Sequence, residues 1–246
     1  MFKKYYFIGL VFILIVAAAI IFSLITQSIT PNNADKNLKN QNFSFNPTEV
    51  MQLPEPVTDG KMSLEKALTL RRSIRSYSEK PLTVNEISQL LWSAQGVTNE
   101  RGFRTAPSAG ATFPLKMYFA VNTSEDLEQG VYQYIPEDHS IKLIRMGYYS
   151  DDLTRASLGQ SMVKDASVVF IFGAIYERTT GRYGERGIRY VYNEIGHASQ
   201  NLHLQAAALN LGTVVIGAYN DDEVERILDL GDDINVLYIM PVGNVH

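Results

Sequence analysis

Between Arg186 and Gly212 the residues Ile188, Val191, Ile195, Ala198, Leu202, Gln205 and Leu209 follow one another every three or four positions. That spacing draws one stripe along a long core helix of about six turns. A second segment constrains the fold as tightly. Ser167 to Tyr176 (SVVFIFGAIY) is an unbroken run of β-forming apolar residues, the pattern of a central strand buried on both faces. Together they call for a layered α+β or mixed α/β domain in which helices cover a central sheet.

Shorter signals fill in the order. Ser63 is placed to cap a helix over Leu64, Ala67 and Leu68 that ends at Arg71 and Arg72, where cations suit the helix dipole. Thr83-Val84-Asn85-Glu86 has capping-box spacing, followed by Ile87, Leu90, Leu91 and Ala94 and stopped by Gly96. Met117 to Val121 and Val131 to Ile135 read as strands, and the turn Pro136 to His139 leads back into Ile141 to Ile144 as a hairpin. Asp151 to Gln160 reads as a short helix, Thr213 to Ala218 as a strand, and Asp221 and Asp222 as the cap of a helix closed by Gly231. Asn235 to Val242 reads as a final strand.

The first 57 residues have a different composition. Tyr5 to Thr26 is an uncharged apolar stretch, long enough at about 1.5 Å per residue to cross a hydrocarbon core of about 30 Å, and Lys3 and Lys4 precede it. Residues 1–26 are therefore expected to be a single-pass transmembrane anchor, N-terminus cytoplasmic, with the domain on the far side. A cleaved secretory signal is the competing reading. Residues 27–57, rich in Asn, Gln, Pro and Thr, are expected to be a flexible linker, and residues 58–246 the one globular domain.

Composition excludes several chemistries. With no cysteine there is no disulfide framework, Cys-bound zinc, iron–sulfur cluster or thiol nucleophile. A net charge of −4 without a basic tract argues against nucleic acid as a partner. Glu194 and His197 have the i, i+3 spacing of a carboxylate-bridged metal helix, but no second such motif accompanies them, so no metal is expected. No nucleophile elbow, Walker loop, HExxH motif or dinucleotide fingerprint is present.

Two segments remain. Leu70-Arg-Arg-Ser-Ile-Arg-Ser-Tyr77 gathers three guanidinium groups and hydroxyls at a helix end, suited either to gripping a phosphate monoester or to a solvated basic terminus. Ala106-Pro-Ser-Ala-Gly-Ala-Thr-Phe-Pro114 is a run of small residues between prolines, suited to close backbone approach to a flat ligand or simply to a turn.

These strings, with RYGERGIRYVYNEIGHASQNLHLQAAALNLGTVVIGAYNDDEV and the ending YIMPVG, in that order, resemble the nitroreductase superfamily of FMN enzymes, most closely its azoline-oxidising branch. The resemblance implies a homodimeric α+β fold with a mixed or antiparallel sheet flanked by helices, and FMN at the subunit interface. It implies that Arg71, Arg72, Ser73 and Arg75 hold the FMN phosphate and ribityl chain. Pro107, Ser108, Ala109 and Ala111 would come from the other subunit, and Val215, Ile216, Gly217 and Ala218 would line the isoalloxazine, the Gly217 N–H near N5.

Hydride would then pass by ping-pong to or from a small-molecule substrate. Tyr183 and Arg182 occupy the place of the Lys-Tyr pair that the azoline oxidases use in proton removal. An arginine is a poor general base, which weakens the alternative of an azoline-type dehydrogenase acting on a modified peptide. Many members carry Asn at the position of Ala111 and a cation after the final PVG, where Asn244 stands here. Either FMN is held less tightly or Arg186 or Arg189 substitutes. A non-catalytic, membrane-anchored flavin-binding scaffold is the alternative from another class.

Overall fold

Val168–Ala174 is buried along its entire length, as its composition requires, and every other strand is arranged around it. The computed structural model describes residues 50–246. In chain order the elements are β1 (Val50–Gln52), α1 (Leu64–Leu70), α2 (Val84–Gln95), β2 (Leu115–Val121), β3 (Gly130–Ile135), β4 (Ser140–Met146), α3 (Ser150–Ala156), α4 (Met162–Asp165), β5 (Val168–Ala174), α5 (Glu177–Tyr183), α6 (Arg186–Ala208), β6 (Leu211–Thr213), α7 (Asp221–Leu228) and β7 (Asn235–Asn244). The strands form one seven-stranded sheet in the order β1-β4-β3-β2-β5-β7-β6, and each neighbouring pair is antiparallel. The fold is α+β, an open antiparallel sheet with helices on both faces.

Period-two alternation divides the sheet between two cores. Leu115, Met117, Phe119 and Val121 of β2, with Val168, Phe170, Phe172 and Ala174 of β5, face Ile87, Leu90, Leu91 and Ala94 of α2 and Val191, Ile195, Ala198 and Leu202 of α6. Tyr118, Ala120, Val169 and Ile171 point the other way, onto Leu153, Val163, Val224 and Leu228 of α3, α4 and α7. On β7 the buried set steps by three, from Val236 to Ile239, on this second face. A register shift opposite Phe172/Gly173 absorbs the extra residue.

Local signals hold where a side chain fixes the backbone. Ser63 accepts from the Lys66 N–H, and the Thr83/Glu86 capping box closes both ways. Elsewhere the expectations need correction. The strand expected over Thr213 to Ala218 ends at Thr213, after which the chain leaves the sheet except where Ile216 pairs with Ile239. Asn220, not Asp221 or Asp222, caps α7, and Asp229 in a left-handed conformation closes it before Gly231. The helix expected to reach Gln160 stops at Ala156.

Val50–Gln52, inside the stretch expected to be linker, pair with β4 as an edge strand, and Leu53 is buried. The turn residue His139 secures this strap. Its carbonyl accepts from the Leu53 N–H, and its ring bonds Tyr134 Oη, Ser88 Oγ and the Pro54 carbonyl.

The expectation of a membrane location is overturned: among the described residues no helix is long and apolar enough to cross a membrane. The apolar stretch Tyr5 to Thr26 and most of the expected linker lie outside the described residues.

Candidate functional site

The arginine cluster is placed by the end of α1. Arg71 is its C-cap, still donating its N–H to Ala67 O, and beyond it the chain turns extended. Ser73 then bridges Thr213 in parallel, with Ile74 N–H donating to Thr213 O at 2.9 Å. This pairing carries the cluster to the C-terminal end of α6 and to β6. Between them lies a pocket of about 190 Å³, lined among others by Arg71, Arg72, His203, Asn210 and Thr213. Ser73 and Arg75 are exposed beside it.

Two features of the pocket carry chemical information. The Thr213 hydroxyl is buried and has no hydrogen-bond partner. His203 is 6% exposed, and burial, reinforced by the Arg71 guanidinium, holds its imidazole down at about 4. The pocket is thus rich in donors and carries positive charge.

From Thr213 the chain continues through the segment expected to line a flavin ring. Ile216 exchanges two backbone hydrogen bonds with Ile239, and its side chain is in the core. Val215 is half-buried, whereas Gly217 and Ala218 are exposed. A Cβ at Gly217 would meet only the Tyr238 ring, at 3.6 Å.

The small-residue loop forms a second group. Ala109–Ala111 is a single 3-10 turn, and Gly110, Ala111 and Phe113 have φ of 60°, 54° and 44°. Two of the three are not glycine, so the surroundings must hold the loop in place. Phe113 N–H donates to Ser108 Oγ at 3.0 Å, and Arg178 donates to the Phe113 carbonyl at 3.0 Å. Thr112 and Thr179 hydroxyls meet at 2.8 Å. Arg182 donates to Gly110 O at 2.9 Å, and a Cβ at Gly110 would lie 2.4 Å from the Tyr183 hydroxyl. Tyr183 packs edge-on against Tyr190, their centroids 5.1 Å apart.

Beneath this loop is Glu194 of α6, 3% exposed. Burial pushes its carboxyl up to about 7, against opposing pulls from the Ser108 hydrogen bond and the Arg104 guanidinium. Its Oε1 is buried without a partner.

The residues singled out from the sequence therefore fall into two groups within the chain. Arg71, Arg72, Ser73 and Arg75 lie at the C-terminal end of α6, and Val215 to Ala218 run on from β6 alongside β7. Pro107, Ser108, Ala109 and Ala111 join Arg182 and Tyr183 near its middle and N-terminal end. His203 and Glu194, one in each group, are separated by about 13 Å along the helix axis. His203, Thr213, Asn210 and Arg104 do not stand out in the sequence as site residues, and Glu194 stands out only through its i, i+3 spacing to His197. His203 is legible only as one of four histidines, and the groups that surround it come from distant segments.

The family model described as Nitroreductase family matches residues 68–244. The chain belongs to the nitroreductase family. Its relative MJ1384 from Methanocaldococcus jannaschii, named as a nitroreductase, is 47% identical over 196 residues, covering 80% of this chain and 96% of that protein. Among solved structures, one from Ralstonia eutropha described as a nitroreductase superposes with a TM-score of 0.71 at 28% identity, covering 82% of this chain and 92% of its own. The Escherichia coli microcin synthetase McbBCD complex has a subunit that shares the fold, with a TM-score of 0.64 at 21% identity over 89% of this chain and 83% of its own. The protein is thus a nitroreductase-family oxidoreductase whose arginine cluster and loop both fall within the matched region.

Proposed function

We propose that this nitroreductase-family protein is an FMN-dependent oxidoreductase that passes two electrons by ping-pong between small organic substrates, working as a homodimer with FMN at the subunit interface. The observation that carries the reading is the pocket at the end of α1. Two guanidinium groups line about 190 Å³, and Thr213 in its wall has a buried hydroxyl without a partner; this donor-rich lining suits a phosphate monoester, which accepts hydrogen bonds on every oxygen.

Arg71 and Arg72 hold the phosphate, with Ser73 and Arg75 beside it toward the ribityl chain. Bound FMN supplies hydride chemistry at N5. The chain's own part is to place the ring: Val215 and the backbone of Ile216, Gly217 and Ala218 form one wall, and Gly217 leaves room for close approach. Pro107, Ser108, Ala109 and Ala111 form the opposite wall from a second copy. Their separation from the arginine cluster within one chain supports that arrangement. So do the exposed leucines of α1, Leu64, Leu68 and Leu70, beside a groove of about 1210 Å³ between residues 57–67, α2 and α6.

Tyr183 is within reach of the second wall and can give or accept a proton at its hydroxyl. Arg182 is engaged by Gly110 O and over the Tyr183 ring, a positioning role. A guanidinium in that place does not act as a base, which weighs against the peptide azoline reading; the fold shared with a microcin synthetase subunit gives that reading only weak support.

The test is electron transfer in two halves. The flavin-loaded protein is reduced anaerobically, and excess reductant is removed. The reduced protein is then mixed with a quinone or a nitroaromatic compound. Return of the oxidised flavin spectrum at a rate that rises with acceptor concentration is expected. A reduced flavin that no acceptor reoxidises refutes the enzyme reading and leaves a passive binder.

A further inference from the structure

We propose that His203 is a proton-coupled anion ligand: neutral in the free protein, it takes up one proton from solvent when a phosphate group enters between Arg71, Arg72 and Thr213. This rests on the assignment of that pocket to the FMN phosphate and adds to it a residue outside the arginine cluster. Among the described residues, the charged groups that line the pocket with His203 are Arg71 and Arg72, from the segment after α1. The lining residues from α6, β6 and the C-terminal segment, Ala207, Leu211, Thr213 and Val245, are uncharged, and among the described residues no carboxylate lines the pocket.

A buried imidazole beside the Arg71 guanidinium resists a further positive charge, which is why burial and Arg71 hold it near 4. A phosphate oxygen reverses both influences. It supplies negative charge and an acceptor for an imidazole N–H, so the protonated form becomes the favoured one. Anion binding and proton binding then assist each other reciprocally. No covalent bond changes, and the proton comes from the buffer.

The linkage has a definite sign. Between the pKa of His203 with the anion bound and its lower value without it, each unit fall in pH tightens phosphate binding by up to about tenfold. The phosphate's own ionisation, near pH ~6, works in the opposite direction and is the same for any variant. Comparison with His203→Gln therefore isolates the imidazole.

Calorimetric titration with inorganic phosphate and, separately, with FMN, in two buffers of different ionisation enthalpy, counts protons taken up per ligand. The wild-type protein is expected to take up more protons than His203→Gln with either ligand. In the wild-type protein the His203 imidazole NMR signal, one of four histidines, is expected to titrate at least one pH unit higher when phosphate is saturating. Equal proton uptake in both proteins, or a His203 signal whose midpoint does not move, overturns the proposal. The NMR arm decides even if the variant folds poorly. If phosphate gives the response and FMN does not bind, the flavin reading fails and this one stands. FMN binding with an unresponsive His203 gives the reverse, and binding of neither ligand ends both.

Discussion

Glu194→Gln isolates the least ordinary group in the molecule. The folded chain holds this carboxyl up at about 7 from its usual 4.5, chiefly through burial. The folded state therefore binds the proton more tightly than the unfolded chain does. The contribution of Glu194 to stability is fully present below pH 4.5, declines as pH rises from 4.5 to 7 and is lost above. A shift of that size corresponds to at most about 3.5 kcal/mol, since one unit is about 1.4. Partial relaxation and water penetration around the charged form reduce the expected loss to about 1–3 kcal/mol.

Gln reproduces the shape of the protonated acid and still accepts from Ser108. The variant should match the wild-type protein at pH 5 and exceed it at pH 8 by about 1–3 kcal/mol, or roughly 3–10 °C in melting temperature for a domain of this size. Urea and thermal unfolding at both pH values measure it. A difference between the proteins that is the same at pH 5 and pH 8 would show that Glu194 does not titrate in this window, and the account of its burial would be wrong.

Two further substitutions test the packing around the site. Thr83→Ala removes one half of the capping box and leaves Glu86 without its hydroxyl partner, costing about 1–2 kcal/mol in urea unfolding; a loss below about 0.3 contradicts the cap. Gly110→Ala sets a methyl 2.4 Å from the Tyr183 hydroxyl at a left-handed φ, and should cost about 1–2 kcal/mol. Because the hydroxyl is the nearest colliding atom, ahead of Arg182 Nη1 at 2.9 Å, Gly110→Ala with Tyr183→Phe should recover part of that loss in a double-mutant cycle; strict additivity would mean the two do not touch.

What the sequence made legible is what short-range chemistry decides. The capped starts of α1 and α2, the buried β5 and the long stripe of α6 each rest on residues within a turn or a strand of one another, and each formed close to the expected place. β1 was missed because three residues carry no periodicity, and their place in the sheet depends on His139, more than 80 positions away. The end of β6 and the caps of α7 were misplaced because several neighbouring polar residues could do the same work and tertiary contacts chose among them.

The candidate site divides in the same way. The guanidinium cluster and the small-residue loop stand out as strings of unusual composition. His203, Thr213 and Glu194 look like ordinary members of a helix and a strand. Only the pairing of Ser73 with Thr213 and the descent of Ser108 onto α6 give them their surroundings.

Flavin occupancy tests the central claim most directly. The protein is saturated with FMN, freed of excess by gel filtration, and the bound flavin is released and quantified against protein. With the phosphate held in that pocket, the expected stoichiometry is near one FMN per chain for the wild-type protein, and near zero for a folded Arg71→Ala, Arg72→Ala variant. A wild-type protein that retains no flavin, or a variant that retains as much as the wild type, contradicts it.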